Sequence, residues 1–203
     1  ILRALGKTAV PALHDPLQPE FAFLSASGDI CSPREVGADY DLIMSLDASS
    51  LDRLGAVYHN GKHAGIPLAV IDHHSTNTYF GTVNWVEPGC AATAQMVVYL
   101  AGALGVSLSP PLAECLLTGL VTDTLCFRTS NTTPAVLEAA MHLQEAGANL
   151  ALIVQRTLNR MAFSTLKLWA LVLQDVHLED GVLWAAVRRD QLGHQRQAQT
   201  RAH

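Results

Sequence analysis

Short continuous apolar runs, each closed by a polar cluster, alternate along the chain with stretches of helical period. Residues 1–5 read as a helix end stopped by Gly6, with a short strand at 8–10 and a second short apolar run at 21–24. The run 41–47 (DLIMSLD) closes on an acid, Asp47. Ser50 is placed to cap a helix over 51–58, which Asn60-Gly61 then ends. A buried strand at 67–71 (PLAVI) closes on Asp72-His73-His74. Thr133, Pro134 and Gly147 frame a helix over 134–146. Helical stretches follow at 150–158 and 162–173, and 176–178, 179–181 and 182–187 read as strand, turn and strand of a hairpin. Apolar runs that do not alternate, separated by helices, predict an α/β fold: a mostly parallel sheet with helices on both faces. The hairpin predicts the start of a second α/β domain. The expected organisation is a core over 1–160, a linker helix over 161–175, the start of a second domain over 176–192 and a disordered tail over 193–203.

Composition narrows the class. Apolar residues make up 49% of the 203, charged residues 15%, and the mean hydropathy is +0.21, so the chain has material for a core. Thirteen basic against eighteen acidic residues give −5. That balance offers no basic field for a long nucleic-acid duplex, and an anionic substrate needs local help from a metal or a helix N-terminus. The uncharged stretch 88–113 imitates a membrane span, but glycines and Pro110-Pro111 break it. What remains is a core helix of about 14 residues over 91–104, too short to cross a bilayer. Cys31, Cys90, Cys115 and Cys126 form no C-x-x-C pair and read as reduced thiols. No signal peptide is legible at the first residues, and the expected location is cytoplasmic.

The strongest chemical feature is the set Asp47, Asp72-His73-His74 and Asp123. Asp47 and Asp72 stand at the carboxyl ends of two predicted parallel strands, the edge at which open α/β sheets bind ligands. Carboxylate oxygen with imidazole nitrogen suits a divalent ion such as Mn²⁺, with Zn²⁺ or Mg²⁺ as alternatives. An acid after a strand can equally cap the next helix, but two adjacent histidines after a buried strand have no packing rationale. A second cluster, 123–133 (DTLCFRTSNTT), carries Arg128, able to fork onto a phosphate, and an Asn-Thr-Thr run before a helix N-terminus. Ordinary capping explains that cluster equally well. Gly6-Lys7-Thr8 lacks the first glycine of a P-loop. His59 and His63 are four apart, but Asn60-Gly61 between them breaks the helix that a metal pair needs.

These residues resemble the DHH phosphoesterases, named for the string that stands here as Asp72-His73-His74. The stretches 41–55 (DLIMSLDASSLDRLG), 70–76 (VIDHHST) and 117–137 (LTGLVTDTLCFRTSNTTPAVL) are similar to the branch of oligoribonucleases that also dephosphorylate 3′-phosphoadenosine 5′-phosphate (pAp). The likeness covers roughly residues 1–192. It implies Asp47 as the bridge between two Mn²⁺ ions, His73 and Asp123 as further ligands, His74 on the substrate phosphate and Asp72 orienting the site. Arg128 and Asn131 would lie near the nucleotide. Two cations would generate hydroxide and neutralise the phosphoryl oxygens during in-line attack. The substrates implied are short RNA oligonucleotides or pAp, with a homodimer left open.

The family's H-x-x-x-D-x-D motif, a source of three more ligands, has no counterpart in 1–30, and its glycine-rich C-terminal loop is not met by residue 192. The resemblance therefore carries a second expectation, an inactive fragment or degenerate member. Other activities in the superfamily are cyclic-dinucleotide phosphodiesterase, single-strand exonuclease and inorganic pyrophosphatase.

Overall fold

The computed structural model describes residues 1–159, 161 and 163–188; the predicted tail and the last residues of the predicted second domain lie outside them. The described residues form two compact units, one of Ile1–Leu158 and one beginning at Asn159.

The first unit is built on three parallel strands in the order β1-β2-β3: β1 is Ile43–Leu46, β2 Leu68–Asp72 and β3 Val83–Val86. Ile43 pairs with Leu68 and Leu46 with Ile71, and on the other side Ala69 pairs with Val83 and Asp72 with Val86. The central strand is buried on both faces, since Val70 and Ile71, successive and opposite in direction, are both closed off. That burial is why its sequence is continuously apolar rather than alternating. Ser45 in β1 is also buried, and its hydroxyl has no hydrogen-bond partner among the described residues.

Five α-helices belong to this unit among the described residues. The single turn α1 is Asn60–His63, α2 is Thr93–Ala103, α3 Pro110–Asp123, α4 Pro134–Glu145 and α5 Leu150–Thr157. Met96 of α2 packs with Ile71 of the sheet and Cys90. On its other flank α2 lies along α3, whose Leu117, Leu120 and Val121 are fully buried against α4 and α5. Gly119 makes the α2–α3 contact close: a Cβ there would stand 2.7 Å from the Cβ of Ala94. Among the described residues no helix is long and apolar enough to cross a membrane. In the second unit α6 is Phe163–Gln174, and β4 (His177–Glu179) pairs antiparallel with β5 (Val182–Trp184). The hairpin closes through Asp180 and Gly181, both at positive φ, as a two-residue turn requires.

Several expectations are corrected. Residues 8–10 form no strand; the segment is held by one bridge between Ala12 and Cys31 and by the Arg3–Asp29 ion pair. The helix expected over 51–58 is a 3-10 segment, Leu51–Val57, broken at Gly55 (φ 52°, ψ −138°), and Ser50 makes no side-chain cap. The ring of His14 occupies the place of a Cβ at Gly55 and accepts the Ala56 N–H at 3.0 Å. Only glycine fits that approach and that backbone. Asn60-Gly61 begins a helical turn rather than ending one. His63 in that turn is buried, accepting the His59 N–H on Nδ1 (3.2 Å) with Nε2 facing the Gly37 carbonyl (3.0 Å). Both of its nitrogens serve the fold, so the His59–His63 pair is structural.

Candidate metal centre

The carboxyl ends of β1 and β2 carry the first two acids. Asp47 follows β1 directly, and its N–H continues the ladder to the Ile71 carbonyl at 3.0 Å. Its φ of 61° is left-handed, a conformation a short polar side chain tolerates better than a bulky one. Thr93, the first residue of α2, donates its hydroxyl to Asp47 Oδ1 at 2.8 Å. Asp72, the last residue of β2, is fully buried.

His73 and His74 leave β2 side by side, their rings 4.6 Å apart and tilted by 56°. His73 Nδ1 lies 3.3 Å from the Cys90 carbonyl. A carbonyl only accepts, so Nδ1 carries a proton, and Nε2 is the nitrogen turned to the acids. That Nε2 is 3.5 Å from Asp47 Oδ1 and 3.6 Å from Asp123 Oδ2. His74 Nδ1 is 2.7 Å from Asp72 Oδ1 and 4.0 Å from Asp47 Oδ1. Asp123 enters as the last residue of α3.

The electrostatics are those of a site short of positive charge. Burial pushes the Asp123 carboxyl above the ordinary range, and the nearby Asp47 charge pushes it the same way, against the pull of His73 and His74. His74 is held above the usual imidazole value, first by its hydrogen bond to Asp72, against burial, and then by the charges of Asp72, Asp47 and Asp123. Burial alone would raise Asp72, but the bonds from Asn77 and His74 outweigh it and hold the carboxyl low.

A divalent ion fits this donor set. Asp47, His73 and His74 each offer a ligand atom, all within 4.8 Å of one another; this close set has His74 where the resemblance implies Asp123, whose Oδ2 approaches His73 alone among the described histidines, at 3.6 Å. Two ligand atoms each about 2.0–2.2 Å from one ion stand at separations like those between His73 Nε2 and the two carboxylates. The hard oxygen and borderline nitrogen donors suit Mn²⁺, Mg²⁺ or Zn²⁺.

The five acids and histidines singled out in the sequence thus converge. The other two residues stand apart from that convergence in their bonding. Arg128 is exposed and donates Nε to the Leu125 carbonyl at 2.6 Å. It follows a left-handed turn of three residues, Leu125, Cys126 and Phe127 (φ 48°, 60° and 62°). Asn131 reaches the Ala91 carbonyl at 3.5 Å, just before α2. Sequence reasoning missed Asn77, Thr93 and the Cys90 carbonyl. Asn77 sits in a Ser-Thr-Asn-Thr run that reads only as a turn, Thr93 reads as an ordinary first helical residue, and a backbone carbonyl has no sequence signature.

Comparison with known proteins places this geometry. The chain is 39% identical over 156 residues to the bifunctional oligoribonuclease and PAP phosphatase NrnA of Thermus thermophilus, covering 76% of this chain and 46% of that protein. It is 26% identical over 179 residues to the protein of the same name from Bacillus subtilis, covering 86% and 55%. The chain therefore spans about half the length of these curated relatives. Among solved structures, an exopolyphosphatase-related protein from Bacteroides fragilis superposes with a TM-score of 0.85 at 21% identity, over 96% of this chain and 60% of that one. A putative family II inorganic pyrophosphatase from Methanococcus jannaschii gives 0.59 at 21%, over 86% and 61%. These two share the α/β fold. Residues 2–120, which include Asp47, Asp72, His73 and His74, match the N-terminal domain of the DHH family, and the chain belongs to that family.

Proposed function

We propose that this chain is the metal-binding core of a cytoplasmic phosphoesterase that hydrolyses short oligoribonucleotides and pAp. The observation that carries the reading is the convergence of Asp47 Oδ1 and Asp123 Oδ2 on His73 Nε2, beside a His74 held by a buried carboxylate. The substrate class follows the name of the Thermus relative, a bifunctional oligoribonuclease and PAP phosphatase. Asp47, His73 and Asp123 hold divalent metal, Mn²⁺ in this reading. Bound metal activates water at neutral pH and offsets the charge of the phosphoryl oxygens.

The chain's own residues do the rest. Thr93 fixes the rotamer of Asp47 through its hydroxyl, and the Cys90 carbonyl fixes the tautomer of His73. His74, with Nδ1 committed to Asp72, turns Nε2 outward to donate to a phosphate oxygen. Arg128 and Asn131, on the segment between α3 and α4, contact the nucleotide.

Titration calorimetry of this chain with Mn²⁺, wild type against Asp47→Asn, tests the metal assignment, with loss of at least about tenfold in affinity expected. Equal affinities would remove Asp47 from the ligand set. Release of phosphate from pAp, and of mononucleotides from a ribodinucleotide, tests the substrate class under the same Mn²⁺ loading.

A further inference from the structure

The buried carboxylate behind His74 has a second partner. Asn77 is itself buried, 8% exposed. Its Nδ2 donates to Asp72 Oδ2 at 2.6 Å and to the Ala48 carbonyl at 3.1 Å. Its Oδ1 accepts the N–H of Tyr79 at 2.7 Å, and Tyr79 is held at a left-handed φ of 54°. An asparagine amide has two N–H donors and one carbonyl, so each functional atom of Asn77 is committed. The reverse amide orientation would set its oxygen against two acceptors and its N–H groups against a donor, so the network admits one orientation.

The partners of Asn77 matter. Ala48 is the residue after Asp47, and Asp72 Oδ1 holds His74. Asn77 therefore ties the exits of β1 and β2 together. It also fixes the plane of the Asp72 carboxylate, which turns about a broad two-fold torsion when one oxygen is free. We propose that Asn77 is the positioning residue for His74: through Asp72 it holds the ring with Nδ1–H inward and Nε2 toward the substrate phosphate. This rests on the phosphoesterase reading for what His74 contacts, but not for how His74 is held.

The test separates the two. In the chain labelled with ¹⁵N at its imidazoles, at one fixed neutral pH, the Nδ1–H protons of His74 and His73 are observed by NMR. His73, bonded to the Cys90 carbonyl, is the internal reference. Asn77→Ala is expected to speed solvent exchange of the His74 proton at least about tenfold, or to erase its signal, and to leave His73 unchanged. Asn77→Ser, too short to reach Asp72 as the amide does, is expected to do the same. Persistence of the His74 proton in either folded variant overturns the proposal. So does loss of both protons together, or failure of both variants to fold, since each makes Asn77 a general structural residue. With Mn²⁺ and pAp, Asn77→Ala should lower kcat about 10–100-fold in a wild-type background and have no further effect beside His74→Ala. A full further loss in that background also overturns it. If the unsubstituted chain binds no Mn²⁺, the phosphoesterase reading fails, and the imidazole protons still decide the role of Asn77; absence of turnover from a chain that spans about half the length of its relatives leaves both intact.

Discussion

Gly119 lies in the interior of α3, where helix propensity favours alanine by about 1 kcal/mol. Propensity alone therefore predicts that Gly119→Ala stabilises the chain. The packing predicts the reverse. The new Cβ would stand 2.7 Å from the Cβ of Ala94 on α2, against an ordinary carbon–carbon contact of about 3.5–4.0 Å. The helices must part by about 1 Å to accept it, and overpacking of this kind costs about 1–3 kcal/mol. The net expectation is a loss of up to about 2 kcal/mol. Gly102 is the control, because it is also helical and a Cβ there meets nothing within 4 Å. Gly102→Ala should gain up to about 1 kcal/mol. Urea unfolding followed by circular dichroism reads both. Ala94→Gly placed beside Gly119→Ala removes the clash and should recover part of the loss, a coupling visible only for residues in contact. The chemistry should respond too, since Thr93 precedes Ala94 and Asp123 lies one turn beyond Gly119. Parting α2 from α3 draws Asp47's partner away from Asp123, and Mn²⁺ affinity should fall with stability. A Gly119→Ala chain as stable as Gly102→Ala would refute the packing argument.

Three further expectations follow from single side chains. Thr93→Val removes the hydroxyl on Asp47 Oδ1 while keeping the side-chain shape, and should weaken Mn²⁺ binding about tenfold by calorimetry. Asn149→Ala removes the side-chain cap on the Leu152 N–H and should cost about 1 kcal/mol in urea unfolding. Ser45→Ala removes a buried hydroxyl with no partner among the described residues and should raise stability by about 1 kcal/mol, visible as a higher urea midpoint.

The legible parts of the fold were those where burial and end signals agree. β2 is apolar at successive positions because both its faces are covered, and α4 is framed by Thr133, Pro134 and Gly147 near its observed bounds. β3 escaped notice: it is four residues long, edge-placed and half-exposed, and Asn84 in its middle breaks the apolar run. The segment at 51–57 misled because its capping and apolar positions suit a helix, while the His14 ring, 41 residues upstream of Gly55, decides the kink. In the candidate centre, the acids at the strand ends and the paired histidines were legible, because charge after a buried strand is expensive to place without use. What orients them was not. Asn77, Thr93 and the Cys90 carbonyl act through tertiary contacts that no local pattern encodes.

β2 and β3 are parallel neighbours, yet only the ten residues from His73 to Thr82 join them. Such a connection is usually a dozen residues or more and contains a helix. Here the connecting segment is the one that carries His73, His74 and Asn77. The chain cannot bring β3 against β2 without laying these three residues over the strand ends, and it cannot disorder them without loosening that pairing. Occupancy of the centre by a cation is therefore a reporter of whether the sheet has closed. A destabilising change anywhere along β3 should register first as lost metal binding, before the helices on the far side of α2 begin to melt.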